Sequence, residues 1–172
     1  KFDNLNAVAK NVNLGGLQAS EYLLIAEDVQ VNLSAFLANK GINFAKQSST
    51  QITITVTAAD FTRFVWEKIH PLNGWRVEIN QGNAVVIGTA TILNASVPVR
   101  ITGKFEAWGK DRVSFVPQQL EVQGTLMPQT MLASMFDKSQ FYLDLQAVPM
   151  KLELTEVLMT PGKLIIKAKS IP

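Results

Sequence analysis

Cysteine is absent from the chain and histidine occurs once, at His70. Without thiols there is no disulfide, no thiolate nucleophile and no cysteine-based zinc site. With a single imidazole, His70 lacks a second histidine for sharing a metal, and it would have to serve as the base of any serine triad. No Gly-x-Ser-x-Gly elbow exists to present such a serine, and Gly15-Gly16 lacks the spacing and the Lys-Ser/Thr of a phosphate loop. At a helix end beside Pro71, His70 reads as a complement to the helix dipole. Charge is scarce too: 17% of residues are charged, against about 25% in an average soluble domain. The 16 basic and 14 acidic residues are scattered. That disfavours nucleic acid, whose phosphates need a concentrated basic footprint. Glu27-Asp28 and Glu153 with Glu156 are the close carboxylate pairs. In strands the first two side chains point to opposite faces, and Glu153 is the outward residue among alternating leucines, so neither pair makes an acid–base constellation. No apolar run approaches the roughly 18 residues of a bilayer-spanning helix.

What is present is apolar: 47% of the residues are hydrophobic. The organising stretch is Gln51 to Ile69, where the hydrophobic period changes. In Gln51-Ile-Thr-Ile-Thr-Val-Thr57, Ile52, Ile54 and Val56 alternate with threonines, the pattern of a β-branched strand with one buried face. Thr57-Ala-Ala-Asp60 then reads as a capping box that starts a helix. Along that helix Phe61, Phe64, Val65 and Ile69 share one side, Arg63 and Glu67 point away, and Trp66 flanks the stripe. Such a stripe is more often ordinary core than a ligand wall, so by itself it does not reveal function.

Alternating segments occur on both sides of this unit. Phe2 to Val12 and Leu17 to Leu33 read as two strands around the Gly15-Gly16 turn, and Leu33 to Leu37 as a short helical turn ending near Gly41. After a stop at Pro71-Leu-Asn-Gly74 come strands over Trp75 to Asn80, Ala84 to Ile92, Val97 to Phe105 and Arg112 to Val116, with Leu120 and Val122 following. Pro98 removes a ladder donor, which places it on an edge, at a bulge or among a strand's opening residues. Met127-Pro128 opens a second, short helix with Met131, Leu132, Met135 and Phe136 on one side. Strands over Phe141 to Leu145 and Met150 to Leu154 follow. Thr160-Pro-Gly-Lys163 is a type II turn signal, and Leu164, Ile166 and Ala168 line the last strand. Lys163, Lys167 and Lys169 share the opposite face of that strand, as a solvated edge that deters strand addition or as a contact for anionic headgroups. The predicted fold is α+β, mainly antiparallel β: one domain over residues 1–172 in which a long curved sheet wraps around one or two helices. A parallel doubly wound sheet is disfavoured, because helices would then alternate with strands throughout. Two apolar helix faces, one aromatic and one methionine-bearing, suit a lipid or other aliphatic ligand, since methionine repacks around variable chains.

In three stretches the chain resembles the LmeA-like phospholipid-binding family of bacterial envelope proteins, within the tubular lipid-binding superfamily. They are Val8-Ala-Lys-Asn-Val-Asn-Leu-Gly-Gly-Leu17 with Tyr22 to Val31, the strand and capped helix Ile52 to Ile69, and Leu145-Gln-Ala-Val-Pro149 through Pro161-Gly-Lys-Leu-Ile-Ile166. The resemblance implies a curved antiparallel sheet rolled around a helix to form an apolar groove, no cofactor, and an extracytoplasmic role with phospholipids in the envelope. A signal peptide or anchor is then expected upstream of Lys1. The expected function is non-enzymatic binding or transfer of phospholipids, with the membrane surface as a further contact. Acyl chains would lie against Phe61, Phe64, Val65, Ile69, Met131, Leu132, Met135 and Phe136. The alternative is a structural or partner-binding module whose apolar core is filled.

Overall fold

The computed structural model describes residues 2–14, 17–31, 44–46, 49–68, 74–135, 142–147 and 151–170. In chain order they form β1 (Phe2–Leu14), β2 (Leu17–Val31), β3 (Phe44–Lys46), β4 (Ser49–Thr57), α1 (Ala58–Lys68), β5 (Arg76–Asn80), β6 (Asn83–Ile92), β7 (Ala95–Trp108), β8 (Arg112–Val122), β9 (Thr125–Leu126), α2 (Gln129–Met135), β10 (Tyr142–Asp144), a 3-10 turn over Leu145–Ala147, β11 (Leu152–Thr160) and β12 (Lys163–Ser170). The helical turn predicted at Leu33 to Leu37, and Ile69, His70 and Phe136, lie outside the described residues.

The strands divide into two six-stranded sheets, and every recorded pairing is antiparallel. The first has the order β1-β2-β4-β12-β11, with β3 also on β2. It therefore joins strands from both ends of the sequence. The second is a meander, β10-β8-β7-β6-β5, with β9 on β8. Among the described residues neither order closes into a barrel, and the mainly antiparallel α+β architecture is as expected.

The predicted strand faces are observed. Ile52, Ile54 and Val56 of β4 are buried and pair with Ala168, Ile166 and Leu164 of β12 on one side. On the other side Ile52 and Ile54 pair with Leu24 and Tyr22 of β2. In the second sheet Val97, Val99, Ile101, Gly103 and Phe105 all turn inward, as their alternation requires. Pro98 sits among the opening residues of β7, just past the last β8 pair, Val99↔Val122. Gly162 takes the positive φ, +79°, expected of its turn.

One expectation needs correcting. β12 is not an edge: it lies between β4 and β11. Its lysines face outward, where cross-strand register sets them beside carboxylates. Lys167 pairs with Glu156 at 2.7 Å and Lys169 with Glu153 at 3.6 Å. The alternation located the face but not the neighbours, because sheet order depends on a strand arriving from far along the chain.

The first sheet meets the second through β11, which runs across the end where the β5–β6 and β7–β8 turns lie. Leu154 N–H donates to Lys110 C=O at 2.6 Å in the β7–β8 turn. Further along, Gly82 N–H donates to Met159 C=O and Gly162 N–H to Ile79 C=O. A bulge between Leu154 and Glu156 shifts the ladder by one residue. It moves the inward positions of β11 from the even-numbered Leu154 to the odd-numbered Val157 and Met159, which pair with the buried Ile166 and Leu164.

Candidate functional site

The interior is organised by α1. Its cap is reciprocal: Thr57 N–H donates to Asp60 Oδ2 at 2.9 Å and Asp60 N–H to Thr57 Oγ1 at 3.2 Å, the predicted capping box. The same Asp60 oxygen also accepts from Ser20 Oγ–H at 2.6 Å and Ser20 N–H at 3.2 Å, which fixes the helix start to β2. Burial by itself would raise the Asp60 carboxyl, but the bonds from Ser20 and Thr57 outweigh it and hold the group below the ordinary carboxylate value. One turn on, Thr62 Oγ1–H donates to Ala58 C=O and its oxygen accepts from Val77 N–H of β5, both at 2.9 Å. The helix thus bridges the sheets, Asp60 to the first and Thr62 to the second.

That bridge sets the apolar stripe in the interior. Phe61 stacks on Phe105 of β7 with ring centroids 4.7 Å apart, and Phe105 meets Phe115 of β8 at 5.4 Å. Gly103 makes room for this stack, because a Cβ there would overlap the Phe115 ring and the Val116 carbonyl. Phe61, Val65 and Leu132 are buried in one apolar cluster, with Phe64 half-buried against it. Among the predicted wall residues, these four therefore lie in or against the shared apolar core. Met131, on the other side of α2, is 49% exposed. Met135 ends the helix, and its side chain lies outside the described residues, as do Ile69 and Phe136.

Beside the stack, where β11 crosses β7, a cleft of about 310 Å³ is lined by Phe105, Glu106, Ala107, Leu154, Thr155, Glu156 and Val157. Its size is at the lower end of small-molecule sites, roughly 300–1,000 Å³. Phe105 is shared between cleft and stack, while none of the cleft's lining residues comes from α1. Glu106 is paired with Lys104 and Glu156 with Lys167, leaving each cleft carboxylate balanced by a lysine. Sequence reasoning missed these walls: the odd-numbered alternation of β7 pointed to Phe105, but nothing local announces the β11 bulge that brings Leu154 and Val157 to one side.

Tyr22 was missed as well. Its ring is on the inner face of β2, and among the described residues its buried hydroxyl has no hydrogen-bond partner. Burial pushes its pKa up to about 12. No group of three or more His, Cys, Asp or Glu among the described residues could hold a metal, and no described helix is long and apolar enough to cross a membrane.

Two antiparallel sheets bridged by a helix around an apolar core, with a cleft where β11 crosses β7, define a small β-rich protein. The chain belongs to the LmeA-like phospholipid-binding family, whose model matches residues 1–169. Comparison with curated proteins and with solved structures returns no match.

Proposed function

We propose that this chain, acting as one domain, binds phospholipids in the cell envelope without catalysing a reaction or holding a cofactor, and passes them between membranes or partners. The observation that carries this reading is the cleft partly lined by Phe105, whose ring also stacks on Phe61 of α1, in a chain that belongs to a phospholipid-binding family. Acyl chains enter between β7 and β11 and lie against Phe61, Phe64, Val65 and Leu132. Ile69, Met135 and Phe136, whose side chains lie outside the described residues, are assigned to the same wall, whereas the exposed Met131 stands apart from it. Each buried methylene contributes about 0.8 kcal/mol, so ten would supply on the order of 8 kcal/mol before ordering costs. The Tyr22 hydroxyl, without a partner among the described residues, is a polar group that a lipid oxygen reaching the inner face of β2 would satisfy.

Native mass spectrometry of the purified chain tests the reading, with bound phospholipid as the expected result. Phe64→Glu and Val157→Glu should lower uptake of a fluorescent phospholipid at least tenfold while reducing the melting temperature by only a few degrees. A wild-type chain that takes up no lipid would instead be the filled-core module.

A further inference from the structure

The β6–β7 hairpin runs past both of its neighbours. β5 leaves β6 at Arg76↔Ile87, and β8 leaves β7 at Val99↔Val122 with one further bond, Gln123 N–H to Pro98 C=O. Beyond these points Ala90↔Val97, Thr91↔Ser96 and Ile92↔Ala95 continue as a two-stranded ribbon. At about 3.3 Å per residue its tip stands roughly 13 Å past Pro98. The base of the ribbon is anchored. Trp75 Nε1–H donates to Thr89 C=O at 2.9 Å, and the Trp75 ring fills the space a Cβ on Gly88 would need.

The tip itself is Leu93-Asn94, with φ of 49° and 64°. Both central residues are thus left-handed, a turn that favours Asn-Gly. Leucine is unsuited to that conformation, yet Leu93 occupies it and is 97% exposed. Asn94, Ala95 and Ser96 are exposed beside it. No charged residue occurs from Ile79 to Val99, a span that includes all of β6, the tip and the projecting part of β7.

We propose that this hairpin tip inserts into the surface of a phospholipid bilayer, with Leu93 entering the acyl boundary and Thr91, Asn94 and Ser96 lying among the headgroups. A charge-free protrusion enters lipid without desolvating an ion. A protein partner would be expected to find the tryptophan, tyrosine or arginine anchors that dominate protein interfaces, and none occurs from Gly88 to Val99. The inference rests on the phospholipid-binding reading and adds to it the surface by which the chain meets its lipid source.

Because the chain has no cysteine, Leu93→Cys creates a unique attachment point for an environment-sensitive fluorophore. Addition of vesicles of phosphatidylcholine with one-fifth phosphatidylglycerol should shift the emission of that label to the blue. A label at Gln81→Cys, on the turn at the opposite end of the sheet, should not respond. Leu93→Asn should bind the same vesicles at least tenfold more weakly, with an unchanged or higher melting temperature and unchanged uptake of phospholipid supplied as detergent-dispersed monomer. Absence of the blue shift at position 93, an equal shift at position 81, or full vesicle binding by Leu93→Asn would each overturn the proposal. Retention of monomer uptake alongside such a failure leaves the binding function standing. Loss of monomer uptake by the wild-type chain is instead a failure of the binding function itself.

Discussion

At the scale of single residues, Asp60 does more than begin a helix. Its Oδ2 accepts from three donors on two elements, so removing it uncaps α1 and strands the Ser20 and Thr57 amides together. Asp60→Ala should cost about 2–3 kcal/mol in denaturant unfolding and Ser20→Ala about 1 kcal/mol. The carboxyl is held below its ordinary value in the folded chain, so near pH 4 the unfolded chain binds more protons than the folded one. The Asp60 contribution is therefore full above roughly pH 4 and is lost as pH falls through the depressed folded value. An Asp60→Asn variant should lack that component of acid destabilisation. Tyr22 makes the opposite case, because among the described residues its buried hydroxyl has no hydrogen-bond partner. Tyr22→Phe should be neutral or stabilising by up to about 1 kcal/mol in the lipid-free chain, while a lipid that uses the hydroxyl should be retained less well. Leu93 carries a backbone cost of roughly 1–2 kcal/mol for its left-handed φ, which a structure selected for stability alone would shed.

At the scale of elements, the β5–β6 unit depends on a missing side chain. A Cβ at Gly88 would occupy the space of the Trp75 ring, so Gly88→Ala should destabilise by about 3 kcal/mol and perturb tryptophan emission. Much at this level was readable in the sequence. Thr57 to Asp60 is a local hydrogen-bonding pattern, Thr160 to Lys163 is a local turn, and the faces of β4, β7 and β12 follow from a period of two. What was not readable depends on distant partners. The shared face of Lys167 and Lys169 follows from the alternation, whereas the interior place of their strand depends on β4, which pairs with it from over a hundred residues earlier. Leu154 and Val157 look out of phase until the bulge is seen. Phe61 and Phe64 were recognisable as one apolar stripe, whereas the Phe105 and Phe115 rings that complete the stack come from another sheet.

At the scale of the whole molecule, α1 is the tie between two sheets that otherwise meet along β11. Lipid occupancy should therefore be felt in both. Binding that fills the cleft beside Phe105 should raise the melting temperature with lipid concentration, as linkage requires of any ligand that binds only the folded chain. Removing the Thr62 bridge by Thr62→Val should reduce that rise as well as the basal stability. The sheet order has a further consequence, for the time course of synthesis. The second sheet can form while the chain is still emerging, since β5 to β8 pair with their immediate successors. The first sheet cannot, because β4 waits for β12 to cover Ile52, Ile54 and Val56 on one flank. Such distant pairings are slow to form. Pulse-labelled hydrogen exchange during refolding should protect Val85 and Ile101 before Ile54 and Ile166. Until the final hairpin arrives, the nascent chain carries a half-built sheet with an open apolar side, and a chaperone that shields such surfaces would find its substrate in that interval.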